Sequence, residues 1–526
     1  MKKVLLVNGY FGQMTVSEPL GICSLAAVLR KSQLGDVTIY DPCIDGDIID
    51  VAVSKCLSIE HDILGISVLE ADCSNVHKFI KQYRLYNPSS IIVIGGHGPS
   101  LSPEKFINDD VCGVFIGEGE ISWPRFISVI NENDSLHTVP GFAFKNTDGE
   151  LVITDPPRKV ENLDSLPFIA RDTLPLLIEK YGKNVAAQLM SSRSCYMDCS
   201  YCSIKAFSRL QEGEVYRERS VSSIVSEIQY LYDNFGVRSF RFADDNFMPP
   251  NPKKAKEKIK SFCDEILKSN MNDLKFQIQC RPDNVQPQLI SKLMKIGLKS
   301  MLIGIESINS EDLDLYCRKG DPLYTYKIMK ELQKIGFSCD VNAKYRLKVG
   351  YITFNPYSNR KTLQESIKFL REFNITPKKI LNYLRPYKKT KVYDKLLTDN
   401  LLTEDDMIVF KDQDTSEIFY AIQEIMEYIS SFREIVRFPV KLNKKLQIGH
   451  FNKKLDDTRI LIDNLCFDAI EELLKSNISQ INDIKSKYIS LFDTIKSDSE
   501  VLEELNRFKE LPDFDSNCVN SIRNIS

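Results

Sequence analysis

No stretch of this sequence approaches the ~18 uninterrupted apolar residues of a membrane-crossing helix, so no membrane partner is expected. Neither charge sign dominates: 69 basic residues face 72 acidic ones, a net of -3, which argues against a broad nucleic-acid surface. Repeats at a solenoid period and low-complexity tracts are missing as well. Two lysines open the chain, but the apolar run behind them is too short for the core of a secretion signal, and a cytoplasmic location is expected. What is present is ordinary globular material, 43% hydrophobic and 27% charged over 526 residues. That length exceeds what one core usually serves, so two or three domains are expected. Fourteen cysteines would build a disulfide framework only in a small secreted chain. Here they point to metal or buried thiols.

The first part alternates short apolar strands with amphipathic helices, the pattern of a parallel sheet covered on both faces. Strands are predicted at Lys3 to Asn8, Val37 to Asp41, Ile63 to Ser67, Ile91 to Gly95 and Gly113 to Ile116. The fold class is α/β. Residues 1–140 are a doubly wound, Rossmann-like domain whose ligands bind at the strands' carboxyl ends. Residues 141–182 turn hairpin-like and then Pro-rich and read as a linker. A second alternation over 183–400, with strands near Gln188, Phe240, Phe276, Met301, Ile352 and Ile380, predicts a partial (β/α)6 barrel resembling part of a TIM barrel. Residues 401–526 read as a helical carboxyl-terminal domain.

Cys195, Cys199 and Cys202 follow the first strand of that second alternation as C-x3-C-x2-C. Random scattering of the chain's cysteines would produce this spacing about once in a hundred sequences, so it wants a cause. Thiolates so spaced on one loop can each take a different iron of a four-iron cluster and leave the fourth iron open. A zinc site or buried free thiols are the plainer alternatives, but zinc prefers paired C-x2-C arms or a histidine partner, and neither is visible nearby.

This stretch, with an aromatic (Tyr201) before the last cysteine, resembles the radical S-adenosylmethionine (SAM) superfamily. The resemblance continues through Tyr216 to Ser220, Phe242 to Phe247 and Leu302 to Ser307, and is to the cobalamin-dependent branch. It implies a 4Fe-4S cluster held by Cys195, Cys199 and Cys202, with SAM on the open iron. By the same resemblance Asp244 and Asp245 help place the methionine amino group, where a turn or cap is the plain alternative. Glu306 would accept hydrogen bonds from the cofactor, since a carboxylate ending an apolar strand is costly unless paired. Arg281 is a candidate for the methionine carboxylate, or makes a surface ion pair. Val349 to Pro356 resembles the adenine-binding strand, and Tyr387 to Tyr393 the barrel-closing segment, with lysines replacing small residues.

Pro19 to Arg30, Ile94 to Pro99 and Gly117 to Glu120 resemble, in order, the first helix and later loops of that branch's cobalamin-binding domain. Gly95, Gly96, Glu118 and Gly119 are thus candidate cofactor contacts, glycine letting backbone approach a flat ligand. Ser67, with Glu70 after it, would meet the nucleotide tail. The loop Asn8 to Gln13 lacks the cobalt-ligating histidine of many cobalamin proteins, and His97 reads as a turn residue.

The resemblance implies a cobalamin-dependent radical SAM methyltransferase acting on an unactivated carbon or phosphorus of a small molecule or peptide, fed by an external reductant such as flavodoxin or ferredoxin. Rearrangement, cyclisation or epimerisation is the alternative, and a non-catalytic cobalamin sensor a third. The sequence assigns no residue a directly catalytic role, and Cys466 and Cys518 are too far apart to suggest auxiliary clusters.

Overall fold

The computed structural model describes residues 2–68, 73–446 and 453–509; Glu70 and Cys518 lie outside them. The described chain forms two compact units, one of residues up to 280 with 284–299 and 387–393, the other of 281–283, 300–386 and the residues from 394 onward.

The first unit opens with β1 (Lys2–Asn8), α1 (Leu20–Ser32), β2 (Gly35–Tyr40), α2 (Ile49–Ser58), β3 (Ile63–Ser67), α3 (Cys73–Tyr86), β4 (Ile91–Gly95), α4 (His97–Leu101), β5 (Gly113–Phe115) and α5 (Gly119–Glu132). Because side chains alternate along a strand, Val4 and Leu6 of β1 enter one core with Trp123 and Phe126, while Leu5 and Val7 enter another with Phe79 and Tyr83. Burial on both faces is why the parallel strands read as unbroken apolar runs. Gly65 of β3 faces the first core so closely that a Cβ there would stand 2.8 Å from Leu6 and 3.0 Å from Trp123.

The hairpin-like stretch does more than link. It forms β6 (Phe142–Lys145) and β7 (Leu151–Ile153), which add antiparallel to β5 and complete a seven-stranded sheet of order β2-β1-β3-β4-β5-β6-β7. The Pro-rich stretch after it leads through α6 (Thr173–Tyr181) to β8 (Ala186–Leu189), β9 (Ser192–Arg193), α7 (Ser203–Ser208), β10 (Arg217–Glu218), α8 (Val221–Phe235), β11 (Ser239–Phe242), α9 (Pro252–Lys268), β12 (Lys275–Cys280) and α10 (Pro287–Lys295). β11 pairs in parallel with β8 on one side and β12 on the other.

The second unit takes up the alternation with β13 (Leu298–Glu306), α11 (Ser310–Leu315), α12 (Pro322–Lys334), β14 (Phe337–Ser338), β15 (Tyr345–Tyr351) and α13 (Arg360–Glu372). β15 lies parallel between β13 and β14. The strand predicted near Ile380 is instead a 3-10 turn, Pro377–Leu381. Pro377 has no N–H to give a ladder, and all that remains of strand pairing there is one bridge, Phe354 to Tyr383. The sixth strand is β14, two residues long. Beyond α14 (Lys391–Thr398) come the helices α15 (Gln413–Leu446), α16 (Lys453–Leu473), α17 (Ile481–Lys496) and α18 (Ser499–Lys509). Among the described residues no helix is long and apolar enough to cross a membrane.

Candidate active site

The site grows from the carboxyl ends of the first sheet's strands, where backbone ends its pairing and side chains turn outward. Ser67 ends β3 and Gly95 ends β4. Gly96 follows with φ +107, a conformation that favours glycine, and a Cβ there would lie 2.6 Å from the Val68 carbonyl oxygen. Gly117, after β5, has φ +89 and would collide with Gln211. These positions, with Leu20 and Leu25 of α1, Trp123 of α5, and Gly119, line a cavity enclosing about 350 Å³ whose mouth brings its empty volume to about 1350 Å³.

The opposite wall comes from the cysteine loop. Ser194 before Cys195, and Ile204, Phe207 and Ser208 after Cys202, line the same cavity, as do Ala243 and Asp245 beyond β11. Several groups hold this loop. Asp244, 1% exposed, accepts from the Ser191 N–H at 3.1 Å and its hydroxyl at 2.7 Å, and from the Ser192 hydroxyl. Tyr196 Oη donates to Asn284 Oδ1 at 2.8 Å and receives the Asn246 amide at 2.8 Å. Tyr216 stands edge-on to Tyr196. Cys202 caps α7, and burial pushes its thiol up to about 12, so its thiolate needs a metal's charge to form at neutral pH. Among the described residues no three acid, histidine or cysteine side chains converge to hold a single ion.

Glu118 and Glu120 carry the loop's electrostatics. Arg217 and Arg193 both grip the Glu118 carboxylate, each with one contact at 3.0 Å. Arg193 also reaches Glu120 at 2.6 Å, and Glu120 accepts the Ser24 hydroxyl at 2.6 Å. Burial opposes ionisation of Glu120, yet Arg193 and Ser24 hold its carboxyl down at about 2. Glu118, predicted as a cofactor contact, therefore joins the first sheet to the strands flanking the cysteines, while still lining the cavity.

His97 opens α4 and stacks on Phe207 at 5.0 Å and 14°. Burial lowers it to about 4, so the imidazole is neutral, and its Nε2 has no hydrogen-bond partner. Asp245 shows the opposite response. Exposed to the cavity, its carboxyl is raised to about 6 by the surrounding protein's desolvation and by Asp244. Tyr201 sits half-buried between Cys199 and Cys202 and does not line the cavity.

The structure thus gathers Ser67, Gly95, Gly96, Glu118, Gly119, Asp245 and the cysteine loop around one cavity. Arg281 and Glu306 belong to the second unit. Arg281 is 6% exposed and engages Asp283 through Nε and Nη2, both at 3.0 Å; the ion pair joins a buried guanidinium to an exposed carboxylate. Glu306 takes φ +68 at a register shift ending β13. Its carboxylate lies over paired Gly304 and Gly350, where Cβ atoms would come within 2.7 and 3.4 Å of Oε1, and Arg318 stands 3.9 Å away. Sequence reasoning missed Arg193, Arg217, Tyr196 and Asn246. The available signals were position alone: Arg193 and Tyr196 flank Cys195, and Arg217 and Asn246 lie inside two later segments that carry the resemblance.

The residues fit the implied groups: the loop offers three cysteines, and the cavity beside it is lined by Gly95, Gly96, Gly117 and Gly119 among apolar side chains. Family comparison agrees. Residues 15–126 match the B12 binding domain and residues 189–370 the Radical SAM superfamily. An uncharacterized methyltransferase of Pyrococcus horikoshii is 25% identical over 392 residues, covering 74% of this chain and 80% of that protein. The cytidylyl-2-hydroxyethylphosphonate methyltransferase of Streptomyces wedmorensis is 28% identical over 277 residues, covering 43% and 51%. The structure of the cobalamin-dependent S-adenosylmethionine radical enzyme OxsB, with aqua-cobalamin and S-adenosylmethionine bound, superposes with a TM-score of 0.80 at 18% identity, covering 100% of this chain and 83% of that one.

Proposed function

We propose that this chain, a radical SAM enzyme with a B12 binding domain ahead of its radical SAM domain, transfers a methyl group to an unactivated carbon or phosphorus of a small molecule or peptide. The observation that carries the reading is the single cavity walled on one side by the glycine-bearing ends of β3, β4 and β5 and on the other by the cysteine loop. The similarity to methyltransferases, one along four-fifths of its length, favours methyl transfer over rearrangement. When bound, the cluster with SAM supplies a carbon-centred radical, and cobalamin supplies the methyl group.

The chain's own residues position and shield. Cys195, Cys199 and Cys202 hold the cluster, and Asp244 and Tyr196 keep their loop in place. Asp245 receives the methionine ammonium, because Asp244 already serves Ser191 and Ser192. Gly96 lets the corrin approach, and Ser67 lies beside it to meet the tail. Leu20, Leu25, Ile204 and Phe207 give the cavity apolar walls that exclude water from a reactive carbon. A cytoplasmic location and an external one-electron reductant complete the proposal.

Anaerobic reconstitution with iron, sulfide and cobalamin tests it. The expected result is a spectrum showing both cluster and corrin, 5'-deoxyadenosine formation with dithionite, and transfer of a deuterated methyl group from labelled SAM to a product. A cluster without corrin overturns the cobalamin assignment, and a product isomeric with its substrate and free of label overturns methyl transfer.

A further inference from the structure

Helix α7, directly after the cysteines, is two-faced. Ile204, Phe207 and Ser208 line the cavity, whereas Lys205 and Arg209, four residues apart and so on one side of a helix, do not. Against this outer side lies the segment 387–393, whose Val392 N–H donates to the Ser200 carbonyl at 3.0 Å, inside the cysteine motif. It brings Lys388, Lys389 and Lys391. None of these five cations lines the cavity.

Among the described residues, Asp198 and Glu104 pair with them. Asp198, between Cys195 and Cys199, is bound by Arg209 at 2.6 Å and Lys391 at 2.7 Å, with Lys205 in electrostatic reach. Glu104 meets Lys388 at 3.2 Å and feels Lys389. The cations outnumber the acids in a chain whose net charge is -3, and the side chains of Arg209 and Lys391 are 46% and 52% exposed. Solvated lysines are common. What sets this group apart is its convergence on the one loop whose thiols are to hold a redox centre, on the face turned away from the cavity.

We propose that this outer face is the docking surface for an acidic one-electron carrier protein. The inference rests on the reading of Cys195, Cys199 and Cys202 as cluster ligands. The carrier's reduced flavin or iron-sulfur centre loses one electron and the cluster gains it, with no atom transferred. Opposite charge brings the carrier to the loop at a high encounter rate and fixes its orientation.

The test uses the holoenzyme and a flavodoxin in its hydroquinone state, comparing wild type with Lys388→Glu/Lys389→Glu and with Arg209→Glu. Binding is expected to weaken by about tenfold or more in the charge-reversed proteins, and wild-type affinity to fall steeply with salt. Cleavage of SAM driven by dithionite, which needs no docking, is expected to stay at the wild-type rate and thereby certify an intact cluster. Salt-independent binding with unchanged affinity in the variants overturns the proposal. So does an equal loss of the dithionite-driven reaction, which would make these residues structural, or a substrate KM raised by charge reversal with dithionite as reductant, which would give the patch to the substrate. Absence of dithionite-driven cleavage in the wild type would instead sink the cluster reading itself.

Discussion

Asp244 and Asp245 are neighbours in the chain and opposites in circumstance. Asp244 points back to Ser191 and Ser192 and is fully used. Asp245 faces the cavity, and the surrounding protein's desolvation together with the Asp244 charge raises it from 3.8 to about 6. Between those two pH values the native protein binds more protons at this site than the unfolded chain, so the site's contribution to stability is largest below 3.8 and is lost as pH rises through about 6. In the cofactor-free protein, Asp245→Asn is therefore expected to raise the melting temperature at neutral pH by no more than a small amount, since the carboxyl is exposed, with the gain vanishing below about pH 4. If the carboxylate receives the methionine ammonium, the same substitution weakens SAM binding by about tenfold or more, the scale of a charge-assisted hydrogen bond. Higher stability with weaker binding, measured by calorimetry and by SAM titration, marks a functional group. A variant that loses stability at neutral pH and binds SAM as before would refute the assignment.

At the scale of elements, the ends of β5 and β9 are fastened by charge. Arg193 bridges Glu118 and Glu120, and Arg217 completes the group from β10. Glu120, held at about 2 against its ordinary 4.5, contributes stability that is fully present above about pH 4.5 and is lost as pH falls toward 2. Glu120→Gln is expected to cost about 3 kcal/mol at neutral pH in urea unfolding and to flatten the acid limb of the stability curve. An unchanged acid limb would show that Glu120 is not the group responsible. None of this was readable from the chain, because Glu118 lies 75 residues from Arg193 and 99 from Arg217, and no local pattern links partners so distant. The strands of the first sheet were readable for the converse reason. Ile63 to Ser67 and Ile91 to Gly95 are apolar because both faces are covered, and a turn residue closes each. Local evidence failed where tertiary contact decided the outcome. Phe337–Ser338 is a strand only by pairing with β15, and the apolar run around Ile380 lost its ladder to Pro377.

At the scale of the molecule, what the sequence could not show is that its two motif-bearing regions share one cavity. The cysteine spacing and the glycine loops were each visible alone. Their juxtaposition depends on folding that brings Phe207 onto His97 and Arg193 onto Glu120. If cobalamin fills that cavity and meets both walls, its binding free energy stabilises both. At a hundredfold excess over its dissociation constant, aqua-cobalamin would add about 2.7 kcal/mol, enough to slow hydrogen exchange about a hundredfold wherever exchange requires opening the cavity. Protection is expected at the ends of β3 and β4 and, as the discriminating result, at α7 and β9 across the cavity. Were protection confined to the first sheet and its helices, cobalamin would bind without facing the cysteine loop, and the geometry on which methyl transfer depends would be wrong.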